Sequence, residues 1–274
     1  MKTILVPTDY SNSANNALQY AVELAQFSQA TIILLHAYQI PIPTGEVPVM
    51  MIAPQELEED NSMRIKKLER EVISRISGNI KIESVVRAGF VPDEIMDVAK
   101  EKSADLIVMG VTGSGKLGDA LIGSNTISVI KHSQIPVLAI PKDTRYKKIQ
   151  KIVLAYDYHH EMKENVMKKF KEFVELFKAK VLVLNVVSPT EVPAYEKAVV
   201  GVTIENSLKD TEHTVFFPSA EDISEEINEF ADAHQCDLLV MVPHKHKLLE
   251  RLFRKSNTKQ MSFHTHIPLL TLHD

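Results

Sequence analysis

Five short stretches of this 274-residue chain recur further along it in the same order. Val6-Pro-Thr-Asp9-Tyr10 returns as Leu154-Ala-Tyr-Asp157-Tyr158, and Ala30-Thr-Ile-Ile-Leu-Leu returns as Ala179-Lys-Val-Leu-Val-Leu. Asp105-Leu-Ile-Val-Met109 returns as Asp237-Leu-Leu-Val-Met241, Ser124-Asn-Thr126 as Ser256-Asn-Thr258, and Ile135-Pro136 as Ile267-Pro268. The last three keep one offset, 132. Chance does not preserve both order and spacing, so the chain is a tandem duplication and its fold is a unit built twice. The first echo has an offset of 148, so the second copy is sixteen residues shorter, and the loss falls between its second and fourth strands. The polar segment Asp143 to Lys148 separates units of residues 1–144 and 145–274, each long enough to bury a core.

Within the first unit, apolar runs alternate with helical periods. Thr3 to Val6 reads as a strand ending at Pro7-Thr8-Asp9, and Ser11 or Ser13 caps the helix after it. That helix carries Ala14, Ala17, Leu18, Ala21, Val22 and Ala25 at helical spacing. Thr31 to Leu35 is a second buried strand, and the proline-rich stretch 40–54 is a loop. A charged helix follows from Gln55 to Ile76, with Leu57, Leu68, Val72 and Ile76 on its inner face. Ile80 to Val86 alternates as a third strand, Asp93 to Lys102 is a helix, Leu106 to Met109 a fourth strand and Pro136 to Ile140 a fifth. Strands alternating with helices at this spacing predict an α/β fold, a doubly wound, Rossmann-like parallel sheet in each unit.

The stretch from Asp105 to Thr126 carries the chemistry. Five of the chain's nine glycines, Gly110, Gly113, Gly115, Gly118 and Gly123, fall within fourteen residues of it. They follow a buried strand and precede Ser124, Asn125 and Thr126, all good helix N-cap types. A strand, a loop that permits close backbone approach, and a helix start together describe a phosphate cradle. Gly110-x4-Gly115-Lys116 approaches a P-loop motif, but Leu117 stands where that motif needs a hydroxyl for magnesium, so the match is a decoy. The spacing Gly110-x2-Gly113-x9-Gly123-Ser124 is the better description.

Composition narrows the class. Hydrophobic residues make up 45% and charged residues 24% of the chain, as in soluble globular proteins. A net charge of -5 argues against general binding to nucleic acid or membrane surfaces. Cys236 is the only cysteine, which precludes an intrachain disulfide and fits a reducing compartment. The apolar run Ile4-Leu5-Val6 is cut short by Pro7 and Asp9, too short for a signal peptide, and no later stretch has the length to span a bilayer. The cytoplasm is the expected location.

The glycine spacing and the strand-end Asp9 resemble the nucleotide-binding signature of the universal stress proteins, and the resemblance covers both halves. It implies two tandem domains, each a five-stranded parallel sheet in the order 3-2-1-4-5 flanked by helices, with ligand at the switch point outside the central strands. It also implies an adenine nucleotide, ATP with Mg2+, as the ligand. Pro7, Thr8 and Asp9 would border adenosine, with the Asp9 carboxylate near the adenine or ribose and the backbone around Ala37 at the adenine edge. Met109 and Gly110 would lie under the ribose, and Gly113, Ser114, Gly123, Ser124, Asn125 and Thr126 around the phosphates. Lys116 would add a point charge. Asn125 departs from the small apolar residue expected there but retains a hydrogen-bond donor. Standing alone, Asp9 reads better as a helix-start carboxylate without a ligand, and its partnership with the glycine loop reverses that reading.

The second half has lost the cradle. At offset 132 the five glycines become Val242, Lys245, Lys247, Glu250 and Lys255, so this half reads as a degenerate partner. No Ser/His/Asp elbow, paired-cysteine zinc pattern or kinase-like set is present, so no catalytic residue is assigned, although slow hydrolysis needs no dedicated base. The expected function is ATP binding in stress response or regulation. An ATP-hydrolysing or adenylate-transferring enzyme on the same scaffold, or a ligand-free dimerisation module, are the rivals. The edge strands Pro136–Ile140 and Pro268–Leu272 are expected to meet inside one chain as a pseudo-dimer, with a homodimer through other surfaces open to it. His244, His246, His264 and His266 form two His-x-His pairs, but Lys245 and Lys247 would repel a cation, so no metal site is expected. Lys245, Lys247, Arg251, Arg254, Lys255 and Lys259 instead make a basic strip suited to an anionic partner.

Overall fold

A computed structural model describes residues 1–40, 53–76, 80–111, 123–156, 162–186, 194–242 and 266–273, with 194–200 by backbone alone. The first half runs β1 (Thr3–Pro7), α1 (Asn12–Ser28), β2 (Thr31–Tyr38), α2 (Pro54–Arg75), β3 (Ile82–Ala88), α3 (Val91–Glu101), β4 (Leu106–Gly110), α4 (Ser124–His132) and β5 (Val137–Ile140). The second runs β6 (Lys151–Ala155), α5 (Glu164–Phe177), β7 (Lys180–Leu184), α6 (Ala194–Leu208), β8 (His213–Phe216), α7 (Ile223–Ala233), β9 (Leu238–Met241) and β10 (Leu269–Thr271). The ends of the first half's five strands fall within three residues of the sequence reading, which names no counterpart of β8.

The strands form one sheet of ten in the order β3-β2-β1-β4-β5-β10-β9-β6-β7-β8. Each half has the expected order 3-2-1-4-5 with parallel neighbours, and the halves join where β5 and β10 pair antiparallel. Leu269 faces Ala139, Leu270 faces Leu138 and Thr271 faces Val137. The two expected five-stranded sheets are thus one surface, because pairing two apolar edge strands satisfies backbone groups that each would otherwise expose.

The central strands are buried on both faces, which is why they read as unbroken apolar runs. Alternate residues feed two cores. Ile4, Val6, Leu106 and Val108 face α1, and their counterparts Ile152, Leu154, Leu238 and Val240 face α5. Leu5, Ile107, Val153 and Leu239 face α3, α4 and α7. On α1 all six residues expected to face inward are buried. On α2 only Ile65 is fully buried; Leu68, Val72 and Ile76 are partly buried and Leu57 does not join the core. The physical reason is position: α2 packs mainly against β3, the sheet's outer edge, where one helix face cannot be covered completely.

The duplication extends to hydrogen bonds. The Asp105 carboxylate accepts from the backbone N–H of Lys2 (2.5 Å) and Thr3 (2.9 Å), stapling β4 to β1. The Asp237 carboxylate accepts from Gln150 (2.8 Å) and Lys151 (3.0 Å), stapling β9 to β6. The missing residues of the second half fall between β7 and β8, where α6 has 15 residues against 22 in α2. The connecting segment is packed down. Asn16 donates to the Pro141 and Thr144 carbonyls, Arg145 donates to Asn16 and Gln19, Tyr146 meets Tyr20 edge-on, and Lys147 pairs with Asp237 at 2.7 Å. No helix among the described residues is long and apolar enough to cross a membrane.

Candidate nucleotide cleft

Pro7 ends β1, and the chain then turns sharply. Thr8 is buried, and β2 holds both of its backbone groups: its N–H donates to the Leu35 carbonyl (2.8 Å) and its carbonyl accepts from His36 Nδ1 (2.8 Å). The Tyr10 N–H returns to the Thr8 hydroxyl (3.0 Å), and the Ser11 N–H to Asp9 Oδ1 (2.9 Å). Tyr10 is left-handed at φ 64°, a conformation a side chain adopts only under local constraint. Ser11, of the two candidate serines, caps α1 by accepting from the Ala14 N–H (3.2 Å). Asp9 itself is exposed, with one carboxylate oxygen engaged in the turn.

β4 ends beside this turn at Gly110. A Cβ there would lie 2.4 Å from the Ser13 carbonyl oxygen, so only glycine lets β4 pass the first turn of α1. The Thr126 hydroxyl donates to the Gly110 carbonyl (3.2 Å), which ties the start of α4 to the end of β4. The N-cap of α4 is Gly123, extended at φ -60° and ψ 151°, and no side chain among the described residues caps the helix. Ser124, Asn125 and Thr126, expected as caps, lie instead inside the first turn. Glycine holds the cap position without offering a side-chain oxygen to the first amides of α4, and Lys131 and His132 at the other end complement the helix dipole.

These pieces enclose a cleft of about 260 Å³, near the small end of ligand-site volumes. It is lined by Pro7, Thr8, Asp9, Ala37, Met109, Gly110, Gly123, Ser124, Asn125 and Thr126, together with Ser11, Ser13, Ala14, Val91 and Ile95. Every described residue that the sequence singles out therefore reaches one cleft, although they come from four separate parts of the chain. Gly113, Ser114 and Lys116 lie outside the described residues. The sequence reading misses Ser11, Ser13 and Ala14, which it sees only as helix cap and core, and Val91 with Ile95. The last two are an i, i+4 apolar pair on α3, and that spacing was the signal available. Among the described lining residues Asp9 alone carries a formal charge. The cleft thus brings together a carboxylate acceptor and a helix amino terminus suited to an anion.

The second half keeps the anchor at the end of its first strand. The Tyr156 N–H donates to the Leu184 carbonyl (2.9 Å) and Asn185 Nδ2 donates to the Tyr156 carbonyl (2.8 Å), repeating Thr8, Leu35 and His36. Val242, buried, occupies the place of Gly110. α5 starts at Glu164, whereas Asn12 of α1 corresponds to position 160 at the offset of 148; a later helix start leaves room for the valine. Asp157, Ser256 and Thr258, the four other replaced glycine positions and the basic strip lie outside the described residues. So do His244, His246 and His264; His266 Nε2 lies 2.5 Å from Asp232 Oδ1. A larger hollow of about 960 Å³ between α5 and α6 is lined by Leu154, Val183 and Leu208, each 2% exposed or less, and by Glu164 and Asn165 at the start of α5, where Glu164 places a carboxylate in the first turn.

Residues 1–141 and again 148–273 match the universal stress protein family. The universal stress protein MJ0531 of Methanocaldococcus jannaschii is 30% identical over 144 residues, 52% of this chain and 82% of that protein. The universal stress protein Sll1654 of Synechocystis is 33% identical over 141 residues, 51% of this chain and 85% of that protein. Such relatives match one half of the duplication. A solved universal stress protein from Archaeoglobus fulgidus matches the whole: it covers 99% of this chain and 98% of its own, with a TM-score of 0.77 at 17% identity, a likeness of fold.

Proposed function

The chain belongs to the universal stress protein family, and from that premise we propose that its first half binds ATP or a close adenine nucleotide in the cleft between β1 and β4. The protein then acts in stress response or regulation, in the cytoplasm, rather than in a committed catalytic step. The observation that carries the reading is the amino terminus of α4, whose cap glycine brings no side-chain oxygen, opening into a cleft that Asp9 also lines. Free helix amides suit phosphate oxygens, and a carboxylate suits an adenine amino group or ribose hydroxyls. Ala37, Met109, Val91 and Ile95 supply apolar surface for a base and sugar in the same cleft. When bound, Mg2+ would neutralise phosphate charge that the described cleft residues do not. Asp9 is the one ionisable side chain among the described lining residues, and its Oδ1 is engaged by the Ser11 N–H, which favours binding over turnover.

The second half contributes a structural partner through β10. Titration calorimetry with ATP, ADP, AMP and cyclic AMP tests the proposal. One site per chain is expected, abolished by Gly113→Lys, which copies Lys245 of the second half into the first. Two equivalent sites, no binding by any of the four, or unchanged affinity in that variant would overturn it.

A further inference from the structure

His36 lies behind the cleft, does not line it, and still holds the turn that does. Thr8 lines the cleft, and β2 grips both of its backbone groups, one through the Leu35 carbonyl and the other through His36 Nδ1. Because a carbonyl only accepts, Nδ1 carries the proton in this pair. The imidazole is packed between aromatic neighbours: Tyr10 at 4.7 Å between centroids and Tyr38 at 6.1 Å, with the Arg64 guanidinium of α2 3.9 Å over the Tyr10 ring. The next residues carry the left-handed Tyr10 and the Asp9 carboxylate, so the direction in which Asp9 is presented depends on how firmly Thr8 is held.

The internal repeat separates the two things that a histidine brings, a ring and a donor. In the second half Asn185 occupies the position of His36 and makes the same bond, to the Tyr156 carbonyl at the same 2.8 Å. Asn185 is 1% exposed, and its Oδ1 has no partner among the described residues. A buried amide with an unmet acceptor is costly, so an apolar residue would suit that position better were the donated bond dispensable. A donor is the feature common to both halves, and an aromatic ring is not.

We infer that His36 is a positioning residue for the nucleotide cleft: its Nδ1–H clamps the Thr8 carbonyl and so fixes the turn that presents Asp9 to the ligand. The inference rests on the nucleotide reading of that cleft, and its test is built to fail separately. His36→Asn keeps a donor and removes the ring, while His36→Phe keeps a ring against Tyr10 and Tyr38 and removes the donor. Two measurements are made on each full-length variant: ATP affinity by calorimetry, and hydrogen exchange of the Tyr10 and Ser11 amides in the ligand-free protein. His36→Asn should hold affinity within about threefold of the parent and leave exchange unchanged. His36→Phe should weaken ATP about tenfold, the loss of one hydrogen bond, and speed exchange at the turn by about the same factor. Equal losses in both variants would assign the role to packing and overturn the clamp, as would a His36→Phe protein that behaves like the parent. If the parent binds no adenine nucleotide, the proposed function falls and exchange alone decides the clamp: faster exchange in His36→Phe but not in His36→Asn sustains it, and any other pattern overturns it.

Discussion

Thr271 stands opposite Val137 across the seam of the sheet, and its buried hydroxyl donates to the Val137 carbonyl at 3.3 Å. That single register is where the two halves become one sheet. Thr271→Lys places a charge in a position with no exposure and should cost about 3 kcal/mol or more in urea unfolding, with β5 and β10 as the first elements to lose hydrogen-exchange protection. Protection lost first elsewhere would show that the seam does not bind the halves together.

Gly110 and Gly201 make a matched pair of tests. A methyl group on Gly110 meets the backbone of Ser13 at 2.4 Å, so Gly110→Ala should destabilise by about 1–3 kcal/mol and weaken nucleotide binding by displacing the start of α1. A methyl group on Gly201, inside α6, meets nothing within 4 Å, so Gly201→Ala should stabilise by about 0.5–1 kcal/mol through helix propensity. Denaturant titrations of the two variants are expected to move in opposite directions; movement in the same direction refutes the close approach at Gly110.

Asp237 gives the protein a carboxylate whose ionised form stabilises the fold. Burial pushes its pKa up, but hydrogen bonds from Lys147 and from the Gln150 and Lys151 backbone outweigh that and hold it below the usual carboxylate range. A depressed folded pKa means stability that is fully present above the unfolded value, about 3.9, and is lost as pH falls through the folded value. Stability should therefore decline below about pH 4, and Asp237→Ala, which strands two backbone N–H groups, should remove about 2 kcal/mol at pH 7 and flatten that acid limb. A variant with an unchanged acid limb would exclude Asp237 as its source.

Cys236 should be chemically silent. It is 3% exposed, and burial pushes its thiol up to about 11. Iodoacetamide at pH 8 should label it only after urea unfolding, because the native thiolate is both scarce and covered. Rapid labelling of the native protein would contradict that packing.

Much of this was legible in the residues themselves. Repeated pairs such as Asp105 and Asp237 exposed the duplication, and the unbroken apolar runs exposed strands buried on both faces. The glycine spacing pointed to the loop after β4, and a doubly wound sheet can place that loop only beside the turn after β1. Other features were less visible. Asp105 and Asp237 were recognised as repeats but not as staples, because their partners Lys2 and Gln150 are distant in sequence and bond through backbone N–H groups, which any residue carries. Leu57 is half-buried like Leu68 and Val72 but does not join the core, because helical period reveals which residues share a face and not how much sheet lies under it.

Periodicity, spacing and internal echo are local properties of the chain, and they determined the strands of the first half and the two copies, while the order 3-2-1-4-5 followed from the family resemblance. The tertiary structure decided what depends on two distant segments meeting. It joined β5 to β10 so that two sheets became one, made Gly110 a steric necessity of α1, tied the start of α4 to the Gly110 carbonyl through Thr126, and brought His36 to the Thr8 carbonyl. In each of these the partner is a backbone atom, and a backbone atom has the same chemistry at nearly every position of a sequence, so only its place in space identifies it.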